Sequence, residues 1–294
     1  MRFADYFSNR RRPVISFEVF PPKTPKAMEQ LNAALPRLVA LRPSYMTVTY
    51  GAFGTTQERT LEIAARIRRE HSLETASHLT CVGATRAQID AILARLESSG
   101  IENIVALRGD PPLGEERFVP PEGGFAHASE LVAHIRERGG FGLAVAGYPE
   151  KHLEAPDLDT DLGFLERKVA AGADVVITQL FYDNRDYFAF VEKARSLGIT
   201  VPIVPGLLSI QSYQQIVRIT SMCGSKIPAA LRERLEAAGE DVAKVREVGV
   251  EWTVDQCREL LGAGVPGIHF YVLNRPAPME AIVHALTASG HWPG

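Results

Sequence analysis

The chain alternates short β-branched runs with longer amphipathic segments throughout, and this alternation restricts its possible folds more than any single motif does. Eight runs read as strands: Val14–Phe20, Tyr45–Tyr50, Glu74–Leu79, Asn103–Leu107, Gly142–Gly147, Asp174–Thr178, Pro202–Val204 and Gly267–Val272. Four joins, ESSGIENIVAL, AAGADVVITQL, SLGITVPIVPG and LGAGVPGIHFYVL, end a helical segment in glycine just before a strand. Glycine accepts the left-handed backbone that closes a helix, so these are recurring helix-to-strand turns. Extra helical sequence between Ile227 and Gly264 reads as an insertion before the last strand. Eight strands with intervening helices in 294 residues predict one α/β domain, a (β/α)8 TIM barrel over residues 1–294. A doubly wound open sheet is the alternative. Gly262, Gly264 and Gly267 spell G-x-G-x-x-G, but here the motif ends a helix and precedes a strand, the reverse of the nucleotide-binding context. It is read as a turn at the barrel bottom.

Composition bears mainly on partners. A formal charge of -3 without a clustered basic surface argues against a dedicated nucleic-acid binder and favours small molecules. The three cysteines, Cys81, Cys223 and Cys257, are far apart and form no C-x-x-C pair, so neither a disulfide framework nor a metal site is indicated. A reducing cytoplasm fits them best. No apolar run approaches membrane-spanning length, and the basic N-terminus, including Arg10 to Arg12, reads as a solvated charge run.

The segment ISFEVFPPK places a carboxylate within a strand. Ile15, Phe17 and Val19 share one face, while Val14, Ser16, Glu18 and Phe20 share the other. A carboxylate facing protein is costly unless something answers it, so Glu18 is either a buried ion-pair partner, of Arg108 or Arg275, or a functional acid. Active sites of barrels gather at the carboxyl ends of the strands. The residues there are polar: Thr49 and Tyr50, His78, Arg108 and Asp110, Tyr148 and Glu150, Gln179, then Tyr271, Asn274 and Arg275. Strand seven meets Pro205 and Gly206. His78 has a bland reading as a satisfied core histidine, and Asp110 as a turn former. The stretch Pro111 to Ala126 is long and rich in proline and glycine, which suits a segment covering a ligand. His152, Arg167 and Lys168, around the next helix, suit phosphate oxygens.

The motifs SFEVFPPK, TVTYGA, HLTC, ALRGDPP, YPEKHLEA, ITQLFYD, PGLL and FYVLNR, in this order from about Val14 to Arg275, resemble the methylenetetrahydrofolate reductase family in its bacterial form. The resemblance implies a barrel holding FAD, reduced by NADH or NADPH in a ping-pong cycle that converts methylenetetrahydrofolate to methyltetrahydrofolate for methionine biosynthesis. It implies that Glu18 is the general acid and that Asp110 contacts both pterin and flavin. Gln179, Gln215 and Arg275 would bind folate. Thr49, Tyr50, Ala52, His78, Arg108, Gly109, Asp110, Ala128, Tyr148, His152, Ala155, Asp161, Arg167 and Lys168 would bind FAD. A proton donor near neutral pH needs a raised pKa, which an apolar barrel mouth would supply to Glu18. Phe164 and Leu180 depart from residues that some relatives carry. A homo-oligomer, dimer or tetramer, is expected; regulation by adenosylmethionine is not. Competing readings keep the folate chemistry without flavin, or make the barrel a non-catalytic folate or flavin binder.

Overall fold

A computed structural model describes residues 1–8, 12–49, 57–111 and 118–292. Eight parallel strands close into a barrel in chain order, β1 pairing with both β2 and β8. The strands are β1 Val14–Val19, β2 Tyr45–Val48, β3 Glu74–Thr80, β4 Asn103–Leu107, β5 Gly142–Gly147, β6 Val175–Leu180, β7 Ile203–Leu207 and β8 Gly267–Tyr271. The pairing of β1 with β8 decides for the expected barrel over the open sheet. Six of the eight strands differ from expectation by one to three residues at an end, and two of them, β6 and β7, run on by two or three residues past their expected limit. Strand β6 continues through Gln179, and β7 runs on through Pro205 and Gly206, with Leu180 paired to Gly206 across a register irregularity. Proline reads as a strand terminator because it lacks a donor, yet here the ladder tolerates it beside that irregularity.

The helices are α1 Phe3–Ser8, α2 Pro25–Ala40, α3 Gln57–His71, α4 Arg86–Ser98, α5 Ala128–Arg138, α6 Leu158–Ala170, α7 Asn184–Ser196, α8 Tyr213–Cys223, α9 Ala229–Ala238, α10 Val242–Gly262 and α11 Pro276–Ala288. The expected insertion corresponds to α9 and α10, whose Leu231, Leu235 and Val245 pack with Tyr182, Leu208 and Ile210. Gly100, Gly172, Gly198 and Gly264, which end four of the helix-to-strand joins, all have positive φ. Gly267 has a different role: a Cβ there would lie 2.1 Å from the Val14 carbonyl, so only glycine lets β8 and β1 approach.

The period-two pattern sets the layers. Ile15, Phe17 and Val19 face outward into the shell of helices, while Val14 joins an inner cluster with Tyr45, Ala76, Val105, Ala144, Val175 and Val204. Phe3 and Phe7 of α1 complete this inner cluster. The basic N-terminus thus carries a short helix that packs on the lower barrel, a feature masked in the sequence by its charge; Arg10 and Arg11 lie outside the described residues. Higher in the barrel the inward residues turn polar: Ser16, Thr47, His78 and His269 are all buried.

Candidate functional site

One cavity of about 1200 Å³ opens at the carboxyl ends of the strands and reaches from Glu18 out to Arg167 on α6. That exceeds the roughly 300–1,000 Å³ of an ordinary small-molecule pocket. Its lining includes Glu18, Thr49, His78, Arg108, Gly109, Asp110, Ala128, Tyr148, His152, Ala155, Asp161, Phe164, Arg167, Lys168, Gln179 and Leu180. Tyr50 and Ala52 lie outside the described residues. Gln215 and Arg275 are not in this lining: Gln215 is in the first turn of α8, where its backbone N–H donates to Ser212 Oγ, and Arg275 is the exposed residue preceding α11.

Glu18 lies on β1 beside Thr47 of β2 and Tyr271 of β8 in register. Every contact shown for its carboxylate falls on Oε2. Thr47 Oγ1 donates to it at 3.3 Å, and His269 Nε2 lies 3.2 Å away in hydrogen-bond geometry. His78 Nε2 is also 3.2 Å from this oxygen, but out of line, so that buried nitrogen has an ion-pair contact without a hydrogen bond. His269 is anchored behind by Ser16 Oγ, 2.8 Å from its Nδ1. The ion-pair reading with Arg108 or Arg275 is therefore corrected, because two imidazoles take that place.

The expected rise in the Glu18 pKa is also not found. Burial pushes it up, but His78 and His269 outweigh burial and hold the carboxyl down at about 2. Beside these imidazoles the carboxylate is the stable form. To act as a proton donor it would first have to take up a proton. Acid titration offers a check. A depressed folded-state value contributes stability above the ordinary carboxylate value of 4.5, and that stability is lost as pH falls through about 2. Wild-type stability is expected to fall more steeply over this window than that of Glu18→Gln, as read by denaturant midpoints; parallel slopes would contradict the coupling.

The strand end is held from above. Asn274 Oδ1 accepts the Phe20 N–H at 3.0 Å and its Nδ2 donates to the Phe20 carbonyl at 2.9 Å, from a left-handed backbone with φ 56°. Tyr271 Oη donates to the Thr178 carbonyl at 2.7 Å.

The outer wing of the cavity is cationic. Lys168 is only partly buried as a residue, but its ammonium is turned inward, donating to the Ala146 carbonyl at 2.5 Å, 5.8 Å from the Tyr148 ring centroid. Burial pushes its pKa down to about 8, against the pull of Asp161. Asp161 Oδ2 accepts the His152 N–H at 2.9 Å, fixing the loop after β5. The His152 ring stands edge-on to Tyr148 with centroids 4.7 Å apart, and burial lowers its pKa. Helix α5 begins at His127 without a side-chain cap, and its first residues line the wall. Arg108 pairs with Glu154. Phe164 is exposed, with the Arg167 guanidinium 5.5 Å from its ring centroid. No group of metal-binding side chains occurs among the described residues.

Sequence reasoning missed His269, Ser16 and Thr47 as partners of Glu18. The signal was period two: His269 shares a face with Tyr271, and Ser16 with Glu18. Of the long segment Pro111 to Ala126, residues 112–117 lie outside the description; Phe118 lies against Arg108, and Gly124 pairs with Thr85 at the start of α4.

The family model for methylenetetrahydrofolate reductase matches residues 3–287. A 5,10-methylenetetrahydrofolate reductase of Escherichia coli is 38% identical over 272 residues, covering 92% of this chain and 90% of that one. Methylenetetrahydrofolate reductase (NADH) 1 of Zea mays is 43% identical over 274 residues, covering 90% of this chain but only 46% of its own length. The chain thus spans about half the length of that plant relative. Among solved structures, an uncharacterized protein from Clostridium thermocellum that binds two copies of 5-methyl-5,6,7,8-tetrahydrofolic acid has a TM-score of 0.64, 19% identity and 98% coverage of both chains. At that identity the likeness concerns the fold alone.

Proposed function

Since the chain belongs to the methylenetetrahydrofolate reductase family, we propose that it reduces 5,10-methylenetetrahydrofolate to 5-methyltetrahydrofolate, with FAD as resident cofactor and NADH or NADPH as donor in a ping-pong cycle. The observation that carries this is one large cavity joining a buried carboxylate and its imidazoles to a cationic outer wing. The residues suit a flavin dinucleotide. His78 Nε2 and Thr80 Oγ1 line the inner cavity without hydrogen-bond partners, so a polar ring edge would answer them. Lys168, Arg108 and the uncapped start of α5 suit a diphosphate. When bound, the flavin would accept and deliver hydride.

The chain's own residues would do the rest. Glu18 would protonate the folate nitrogen released as the methylene bridge opens, acting from Oε1, since Oε2 is committed to Thr47 and the imidazoles. Asp110, exposed at the mouth, would contact the pterin edge and place a negative charge beside the flavin. Gln179, whose Oε1 accepts the Leu180 N–H at 2.9 Å, would present its amide nitrogen to substrate. Thr49, Tyr50, Ala52, Gly109, Ala128, Tyr148, His152, Ala155, Asp161 and Arg167 would complete the cofactor site. Gln215 and Arg275 would reach folate from the rim. The chain would work in the cytoplasm in a dimer or tetramer.

Lys168 gives a pH prediction. A phosphate beside it would restore the charged form, so binding above about pH 8 would take up a proton. FAD affinity is therefore expected to fall as pH rises past that value. In Lys168→Met the affinity should be about tenfold weaker at neutral pH and the pH dependence flatter. Titrations with equal slopes in the two proteins would remove Lys168 from phosphate binding. The overall activity is tested by assaying FAD-reconstituted protein for NAD(P)H-dependent formation of 5-methyltetrahydrofolate; no product with either nucleotide would overturn the proposal.

A further inference from the structure

Arg108 is engaged by a carboxylate that this reading does not use. Its Nη1 and Nη2 donate to the two oxygens of Glu154 at 2.5 and 2.7 Å, and its Nε donates to the Gly109 carbonyl at 3.2 Å. The Phe118 ring centroid lies 5.4 Å from the guanidinium carbon. The fork that would grip a phosphate through two parallel bonds is therefore already filled, leaving one N–H on each terminal nitrogen. Glu154 lines the same cavity as the cationic wing, and its side chain is 52% exposed. Its backbone N–H is tied to His152 Nδ1 at 3.1 Å, which fixes the backbone while leaving the carboxylate able to swing into solvent. Arg108 would keep the Gly109 carbonyl and Phe118 as anchors if the carboxylate left.

We infer that Glu154 is a resident anion on Arg108, occupying the phosphate-binding face of the cavity and displaced when a phosphate-bearing ligand enters. The inference rests on reading Arg108 as part of the dinucleotide site. A carboxylate in this role opposes the ligand twice: its pair with Arg108 must break, and its charge then lies near the incoming phosphates. Its removal strengthens binding of ligands that carry phosphate and leaves a phosphate-free ligand unaffected. A purely supporting ion pair would have the opposite sign, because Arg108 would lose the partner that orients it.

The test compares apo-protein, wild-type and Glu154→Gln, titrated with FAD, riboflavin and ADP. The flavins are followed by fluorescence quenching and ADP by calorimetry. FAD and ADP are expected to bind about fivefold tighter to Glu154→Gln, a change of the size measured for partly exposed ion pairs, with FAD leaving more slowly. Riboflavin affinity should stay within about twofold. Weaker or unchanged binding of FAD and ADP, or an equal change for riboflavin, would overturn the inference. Glu154→Ala, which cannot hydrogen-bond Arg108 at all, should shift affinities in the same direction, and thermal melts of both variants report on folding. If wild-type protein binds ADP but neither flavin, the flavin reading fails, while the ADP comparison still decides the role of Glu154.

Discussion

Glu18→Gln is expected to slow reduction of methylenetetrahydrofolate by about 10²–10⁴-fold, the usual contribution of a positioned proton donor, while reduction of bound flavin by NADH changes by no more than a few-fold. Glutamine nearly matches glutamate in size and can still meet Thr47 and His269, so the cavity should survive the change. It removes the ionisable group, and with it the charge that faces the two imidazoles. In the proposed cycle only the folate step needs a proton from Glu18, so the two half-reactions should separate when measured by anaerobic stopped-flow. Equal losses in both would mean that Glu18 shapes the cavity and does not act as an acid. The carboxyl is held down at about 2, so a second signature is expected. Folate binding should be accompanied by proton uptake from buffer in wild-type protein, and this uptake should be absent from Glu18→Gln.

Gly206→Ala is expected to cost about 3 kcal/mol of stability or more. A Cβ at this position would lie 2.2 Å from the Thr178 carbonyl and 2.8 Å from the Tyr271 ring. The first atom is backbone in the adjoining strand and cannot move aside without opening the seam between β6 and β7. The Gly206 N–H also donates to Thr178 Oγ1 at 2.9 Å, so a shift would disturb the same residue twice. A melting temperature lowered by roughly 6–12 °C would follow for a domain of this size. Gly163→Ala is the control, since a Cβ there meets nothing within 4 Å. A Gly206→Ala protein as stable as that control would show that the barrel relaxes far more easily than its packing suggests.

The barrel was legible because its pattern is repeated eight times and its helix ends carry glycine, so local signals agree with one another. Strand ends were less legible. Pro205 and Gly206 read as terminators on local propensity, but β7 uses both inside the ladder, where the neighbouring strands supply the missing support. Helix α1 was hidden because Phe3 and Phe7 stand beside a run of arginines that dominates the local composition. At the site, motif order brought most lining residues to notice, but the partners of Glu18 were not evident. A carboxylate suggests an arginine, and sequence separation gives no hint that His78 and His269 converge on the same oxygen. Only closure of β8 onto β1 brings His269 there. The lowered pKa of Glu18 follows from that closure and could not have been read from an apolar mouth alone.

We propose that a single cavity serves two successive redox partners through one flavin. This is tested most directly by the visible spectrum of FAD-loaded protein, kept anaerobic, before and after one equivalent of NADH and again after methylenetetrahydrofolate is added. The flavin bands are expected to bleach with NADH and return in full with the folate. Bands that never bleach with NADH or NADPH, or that bleach and do not return with the folate, would contradict it.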